Sequence, residues 1–261
     1  MEGYDASTYG DRFAEVYDDW YGDITDVEAC ARHLAALAGG GPALELGIGS
    51  GRLALPLVRR GVAVHGIDTS PAMIEQLRAK PGGEDIPVTL ADMADLSVLG
   101  PARFTLVFVA FNTLFNLPSE AQQRRCIAGA AALLTPAGAL VIEAFVPADP
   151  VAGSAEASVT PRRIHADEVV LTVSQVDHRA QTISGQHVHL RESGTRLRPW
   201  HLRYATPEQL DTMAGAAGLE LVDRVADWDG GPFDESSSVH VSTYRRASVR
   251  GVPEHPPADP R

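Results

Sequence analysis

Glu45, Gly47, Gly49, Gly51 and Asp68 are the residues whose types and spacing could do chemistry. They stand in the run Leu44-Glu45-Leu46-Gly47-Ile48-Gly49-Ser50-Gly51, with Asp68 seventeen positions beyond the last glycine. Alternating glycines let the backbone turn sharply and let a ligand come close to the main chain. A helix behind them, predicted over 52–59, offers unpaired N–H groups at its start. An acid at the tip of the following strand can accept hydrogen bonds from both hydroxyls of a ribose. In that context the glycines are a stronger signal than a turn alone, and they predict the nucleoside-binding half of an α/β sheet.

These residues need a frame, and the apolar periodicity supplies one. Strands are predicted at 43–46, 62–67, 88–90, 104–110 and 139–145, with helical stretches between them. Ser70 followed by Pro71 starts one helix, and Ser119 with Gln122 starts another that runs to Leu134. Strands separated by helices in this way form a mostly parallel sheet covered on both faces. The pattern then changes to alternation over 168–175, 181–191 and 197–204, as in antiparallel strands. Thr206-Pro207-Glu208-Gln209 opens a further helix that ends at Gly218, and strands near 220–225 and 239–245 close the fold. The first forty residues read as helical. Phe13, Tyr17 and Tyr21, at steps of four, would share one face, with Tyr9 and Trp20 nearby.

The predicted class is therefore α/β: a Rossmann-like, mostly parallel seven-stranded sheet with an antiparallel last strand and a small antiparallel lid inserted after the fifth strand. The organisation is a helical cap (1–40), a core (41–147 and 205–247), the lid (148–204) and a disordered tail (248–261). From Gly251 the tail carries four prolines in eleven residues.

Composition excludes several classes. The chain has 261 residues, of which 44% are hydrophobic and 21% charged, as in ordinary globular proteins. A net charge of −12 argues against a nucleic-acid partner. The most basic stretch, Arg191 to Arg203, reads as an exposed sheet face, as do His187 and His189. That His pair has no third ligand in view, so no metal site is predicted. The apolar runs are too short for a membrane span, and the start lacks the features of a secretory signal. Cys30 and Cys126 fall on apolar helix faces and read as buried free thiols. A cytoplasmic monomer or homodimer acting on a small molecule is expected.

The layout resembles the class I S-adenosylmethionine-dependent methyltransferases of small-molecule type, over roughly residues 9 to 246, with the specific motifs in 43–145. The family's acid-x-glycine-x-glycine-x-glycine motif matches Glu45 to Gly51. The resemblance implies that S-adenosyl-L-methionine is the cofactor, with Glu45 near its ammonium group, Gly47, Gly49 and Gly51 forming the turn, and Asp68 on the ribose. Thr69 to Met73 resembles the usual continuation. Asp92 would meet the adenine, with Met73 and Met93 against the ring; a turn cap is the other reading of Asp92, and ordinary core that of Met73. Ala110, Phe111 and Asn112 match the motif after strand four, with Asn112 assigned to the substrate. Tyr17 and Tyr21 would fold over the cofactor or else pack as core. By this topology the lid and the loop 227–233 leave the carboxyl-end rim, so Trp200, Tyr204, Trp228 and Phe233 are expected at the substrate. His201 is the expected base, with Trp200, Arg203 and Tyr204 around it. The implied reaction is methyl transfer to an O, N or C atom of a secondary metabolite, amino sugar or amino acid by in-line displacement. A non-methylating reaction at the same site is the alternative. An NAD-dependent oxidoreductase fits less well, because the glycines do not run G-x-G-x-x-G.

Overall fold

The computed structural model describes residues 1–22, 24–101, 103–148 and 157–247; the predicted tail, 248–261, lies outside them. Three helices come first: α1 (Thr8–Phe13), α2 (Tyr17–Tyr21) and α3 (Val27–Ala38). Strands and helices then alternate through β1 (Ala43–Leu46), α4 (Ala54–Arg59), β2 (Val64–Asp68), α5 (Pro71–Arg78), β3 (Val88–Leu90), β4 (Phe104–Val109), α6 (Glu120–Leu133) and β5 (Leu134–Phe145). A separate antiparallel sheet follows, made of β6 (Ala157–Ile164), β7 (Glu168–Asp177), β8 (Thr182–Arg191) and β9 (Gly194–Arg203). The chain then returns to the main sheet through α7 (Pro207–Ala216), β10 (Leu219–Val225) and β11 (Val239–Arg246).

The main sheet has the order β3-β2-β1-β4-β5-β11-β10. β1 pairs in parallel with β2 on one side and β4 on the other, and β11 runs antiparallel to β5 and β10. The strand order therefore reverses beside β1, where a crevice opens at the carboxyl ends. Alternate residues of the central strands feed two cores. Leu44, Val107 and Ile142 pack with Ile127 of α6 and Met213 of α7, whereas Ala43, Phe108 and Val141 pack with Leu34 of α3 and Leu57 of α4. Helix starts follow the expected chemistry. The Ser70 hydroxyl accepts from Met73 N with Pro71 behind it, and Thr206 with Gln209 forms a reciprocal capping box. Among the described residues no helix is long and apolar enough to cross a membrane.

Four expectations need correction. The N-terminal aromatics do not share one helix: the chain breaks after Phe13, so Tyr9 and Phe13 stack on α1 with ring centroids 4.4 Å apart, and Tyr17 and Tyr21 meet on α2 at 5.0 Å. The helix behind the glycine turn begins at Ala54, not Arg52, because the turn extends through Leu53. The lid has four strands, not three. β6 escaped notice because Pro161 interrupts it and nearly all of it is exposed, as an edge strand permits. Finally, the basic stretch is an exposed face only in part, at Arg191 and Arg196. His187, His189, Arg198 and Arg203 are buried, the first three beneath α1 and α2 and Arg203 against Gln123 and Glu120 of α6. Both cysteines are buried free thiols, and burial pushes Cys126 up to about 12.

His240 on β11 is fully buried, with Nδ1 bonded to Ser242 Oγ at 2.8 Å and Nε2 without a partner. Burial, aided by Arg224, lowers its pKa to about 4. An unfolded histidine titrates near ~6.5, so between these values only the unfolded chain binds the proton. The contribution to stability is complete above the upper value and is lost as pH falls toward the lower one. Urea unfolding should therefore show the parent losing about 2 kcal/mol more than His240→Gln between roughly pH 7 and 5. Equal losses in the two proteins would show that His240 is not held neutral.

Candidate active site

The glycine turn is built by backbone geometry. Gly47, Gly49 and Gly51 have φ of 72°, 55° and 79°, in the left-handed region that side chains disfavour. Space also forbids a side chain at two of them: a β-carbon at Gly47 would lie 2.4 Å from the Thr113 methyl, and one at Gly51 would lie 2.3 Å from Leu77 Cδ1. Gly47 N and Ile48 N both donate to Ile67 O, tying the turn to β2. At the tip of β2, Asp68 accepts from Gly49 N at 2.8 Å through Oδ2 and from Ser70 N at 2.9 Å through Oδ1. Burial raises its pKa, and these N–H groups oppose the rise. Each oxygen keeps a free lone pair.

A cavity of about 290 Å³ opens beside this turn. One wall holds Gly47, Gly49, Asp68, Thr69, Met73, Asp92 and Met93, all expected there. Asp92 also meets its cap reading, since Oδ1 accepts from Ala94 N at 2.8 Å. Thr69 Oγ1 donates to Ala6 O, and Met73 joins the core under α1. The opposite wall holds Tyr4, Tyr9, Asn116, Gln122 and His201.

A smaller recess continues past the turn, lined by Tyr17, Glu45, Gly49, Arg52, Ala110 and Phe111. Here the polar groups are unspent. Glu45 Oε2 and one terminal nitrogen of Arg52 are buried without partners. Burial holds the Glu45 carboxyl well above its ordinary range, with Arg52 opposing and Asp68 adding to the shift. The Arg52 guanidinium lies 5.1 Å from the centroid of the Phe111 ring. Burial pushes the Tyr17 hydroxyl up to about 12 despite the nearby Arg52. Phe111 and Asn112 have φ of 52° and 63°, a strained conformation for non-glycine residues that recurs at functional sites. Glu143 and Asn112 hold it. Phe111 N donates to Glu143 Oε2 at 2.7 Å, and Asn112 Oδ1 accepts from Phe145 N at 2.6 Å. Asn112 thus braces the backbone and does not line the cavity. Tyr21 stands behind Tyr17, 5.7 Å from Phe111.

The N-terminal helices are tied down on two sides. Ser50 Oγ donates to Asp18, which also pairs with Lys80, and Ser70 Oγ donates to Asp11. Toward the lid, Arg198 pairs with Glu15 and Arg163 with Asp19.

The structure does not bring the other expected substrate residues to the cavity. Trp200 lies on the opposite side of β9 from His201, packed over Gly185. Tyr204 is buried, with its hydroxyl at His178. Trp228 is buried 5.7 Å from the His33 ring, under α3, and Phe233 packs against His240 and Arg224. Tyr204 and Trp228 turn inward because burying their large apolar rings is favourable, whereas Trp200 and Phe233 stay partly exposed but away from the cavity. His201 does line the cavity. Ser184 Oγ holds its Nδ1 at 2.9 Å, and burial lowers its pKa, so the imidazole is neutral at neutral pH. Sequence reading missed Arg52, Asn116, Gln122, Glu143 and Tyr4. Arg52 had a signal, standing directly after the last glycine; Gln122 was noticed only as a capping partner.

Comparison with known proteins identifies the family. Residues 43–138 match a family model described as a methyltransferase domain. The chain is similar to the CcbJ methyltransferase from Streptomyces caelestis, with 43% identity and a TM-score of 0.87, over 94% of this chain and 100% of that one. It is 26% identical over 196 residues to the cypemycin N-terminal methyltransferase of a Streptomyces species, covering 74% of this chain and 78% of that protein. It also shares the fold of the sugar N-methyltransferase KedS8 from Streptoalloteichus, with 23% identity and a TM-score of 0.67, over 95% and 99% of the two chains.

Proposed function

The chain belongs to the class I S-adenosylmethionine-dependent methyltransferases, and from that premise we propose that it methylates an amine nitrogen of a small molecule held between the glycine turn and the N-terminal helices. The observation that carries the reading is the recess with unpaired Glu45 and Arg52 joined to a cavity that ends at His201. The residues fit the cofactor. Glu45 suits an ammonium and Arg52 a carboxylate, the two charges of its methionine end. Asp68 has lone pairs for a ribose diol. Met73, Met93 and Asp92 suit an adenine.

When bound, the cofactor supplies an electrophilic methyl group, so the protein's tasks are orientation and exclusion of water. Gly47 and Gly49 admit the ligand to the main chain, and the braced Phe111–Asn112 turn fixes the far wall. Tyr4, Asn116, Gln122 and His201 form the acceptor side. A neutral His201 can take a proton from an ammonium acceptor and free its lone pair. The choice of nitrogen draws support from the relatives, whose names specify a sugar N-methyltransferase and an N-terminal methyltransferase.

The test is incubation with methyl-labelled S-adenosylmethionine and a panel of amino sugars, amino acids and short peptides, beside hydroxyl analogues, with the product's methyl located by NMR. An O-methyl or C-methyl product alone would overturn the nitrogen assignment. His201→Ala should lower turnover roughly a hundredfold, the lower range for a lost acid–base group, with cofactor affinity kept within about tenfold. Trp228→Ala, behind the sheet, should instead cost about 3–5 kcal/mol of stability. Unchanged turnover in His201→Ala, read beside urea melts of both variants, would remove the histidine from the chemistry.

A further inference from the structure

Glu143 is a buried carboxyl that packing alone does not explain. It alternates with Ala139 and Val141 along one face of β5, and those two belong to the core that includes α3 and α4. An apolar side chain would satisfy that face, whereas a carboxyl buried there costs stability unless it is bonded. Burial raises its pKa, with the Phe111 N–H opposing the rise and the Arg52 charge opposing it more weakly.

What the carboxyl holds is strained. Phe111 and Asn112 are two of the three non-glycine residues with positive φ among those described. Such a pair persists only where its surroundings over-determine it. Glu143 supplies two of the bonds that do so. Its Oε2 accepts from Phe111 N at 2.7 Å, and its main-chain oxygen accepts from Asn112 N at 3.2 Å. The main-chain bond would survive a substitution at this position; the side-chain bond would not. The strained turn in its own right carries a ring. Phe111 lines the recess beside Glu45 and Arg52, and its ring centroid lies 5.1 Å from the Arg52 guanidinium carbon, within cation–π range. Glu143 is outside that lining, one residue behind it.

We propose that Glu143 is a positioning residue for the cofactor: by holding the Phe111 amide it keeps the Phe111 ring against Arg52, and so fixes the cation that receives the carboxylate of the methionine end. The proposal rests on the reading that the recess takes that end. It explains why a carboxyl stands on an apolar face, and why two side-chain residues accept a backbone conformation better suited to glycine.

The test compares two ligands by calorimetry. Methylthioadenosine keeps the adenosine and the sulfur of S-adenosylhomocysteine and lacks its amino-acid end. The parent should prefer S-adenosylhomocysteine roughly a hundredfold. Arg52→Gln should cut that preference about thirtyfold, and Glu143→Leu about tenfold or more. Glu143→Gln retains an accepting oxygen and should stay within about threefold of the parent. Because Glu143 acts through Arg52, the double variant should lose no more preference than Arg52→Gln alone. General loss of folding weakens both ligands and leaves their ratio unmoved. Should Glu143→Leu not fold, Phe111→Leu removes the ring, keeps the amide bond and should show the same loss of preference. An unmoved ratio in Glu143→Leu or Phe111→Leu, an additive loss in the double variant, or equal losses in Glu143→Gln and Glu143→Leu would each overturn the positioning role while Arg52→Gln still upholds the recess reading. An unmoved ratio in Arg52→Gln overturns that reading and the proposal with it.

Discussion

Replacing Glu45 with glutamine should weaken S-adenosylmethionine binding by about 2–3 kcal/mol, roughly 30–150-fold, and should abolish the pH dependence of that binding. The free protein buries this carboxyl with one oxygen unpartnered, and burial raises its pKa well above the ordinary value. It therefore holds its proton to higher pH than an ordinary carboxyl does. An ammonium brought beside it favours the ionised form, so binding releases a proton. The sign follows. Below the raised pKa, affinity should climb with pH by up to about tenfold per unit, and above it should level off. Calorimetry in two buffers of different ionisation enthalpy reads the proton directly. A glutamine variant that binds as tightly as the parent, or a parent that releases no proton, would detach Glu45 from the cofactor.

The second large effect is expected at Asp68. Alanine there should weaken cofactor binding by about 1–3 kcal/mol, the range for hydrogen bonds to a charged group. The structure adds a cost that the strand-tip position alone does not suggest. Asp68 also accepts from Gly49 N and Ser70 N, so alanine leaves both amides without their partner and loosens the turn. Asp68→Asn retains one carbonyl oxygen and should fall between the parent and alanine in both affinity and urea midpoint. If alanine binds the cofactor like the parent, the ribose contact is made elsewhere.

The cofactor half was legible in the sequence for a physical reason. Its parts are local: a strand, a turn that only glycine permits at φ near 70°, and an acid at the next strand tip. The central strands were legible because burial on both faces makes them continuous apolar runs. The acceptor half was not. Tyr4, Asn116, Gln122 and His201 come from four separate pieces of chain, and no spacing links them. His187, His189 and Arg198 misled because alternation in a strand separates two faces without saying which is covered. The covering helices are α1 and α2, more than 160 residues earlier in the chain. Long-range ion pairs such as Glu15 with Arg198 leave no local mark. Trp228 misled in the opposite direction: a rim loop can send its largest ring back into the core.

The two walls of the cavity also differ in how they can change over generations. On the cofactor wall the backbone is pinned: the amides of Gly49 and Ser70 donate to Asp68, and that of Phe111 donates to Glu143. The facing wall draws the side chains of Tyr4, Asn116, Gln122 and His201 from the N-terminal segment, the turn after β4, the start of α6 and the end of β9. Replacing one of those side chains alters what the cavity admits and leaves the amides where they were. A lineage of such enzymes can therefore diversify its acceptors one residue at a time while inheriting an unaltered methyl-donor site.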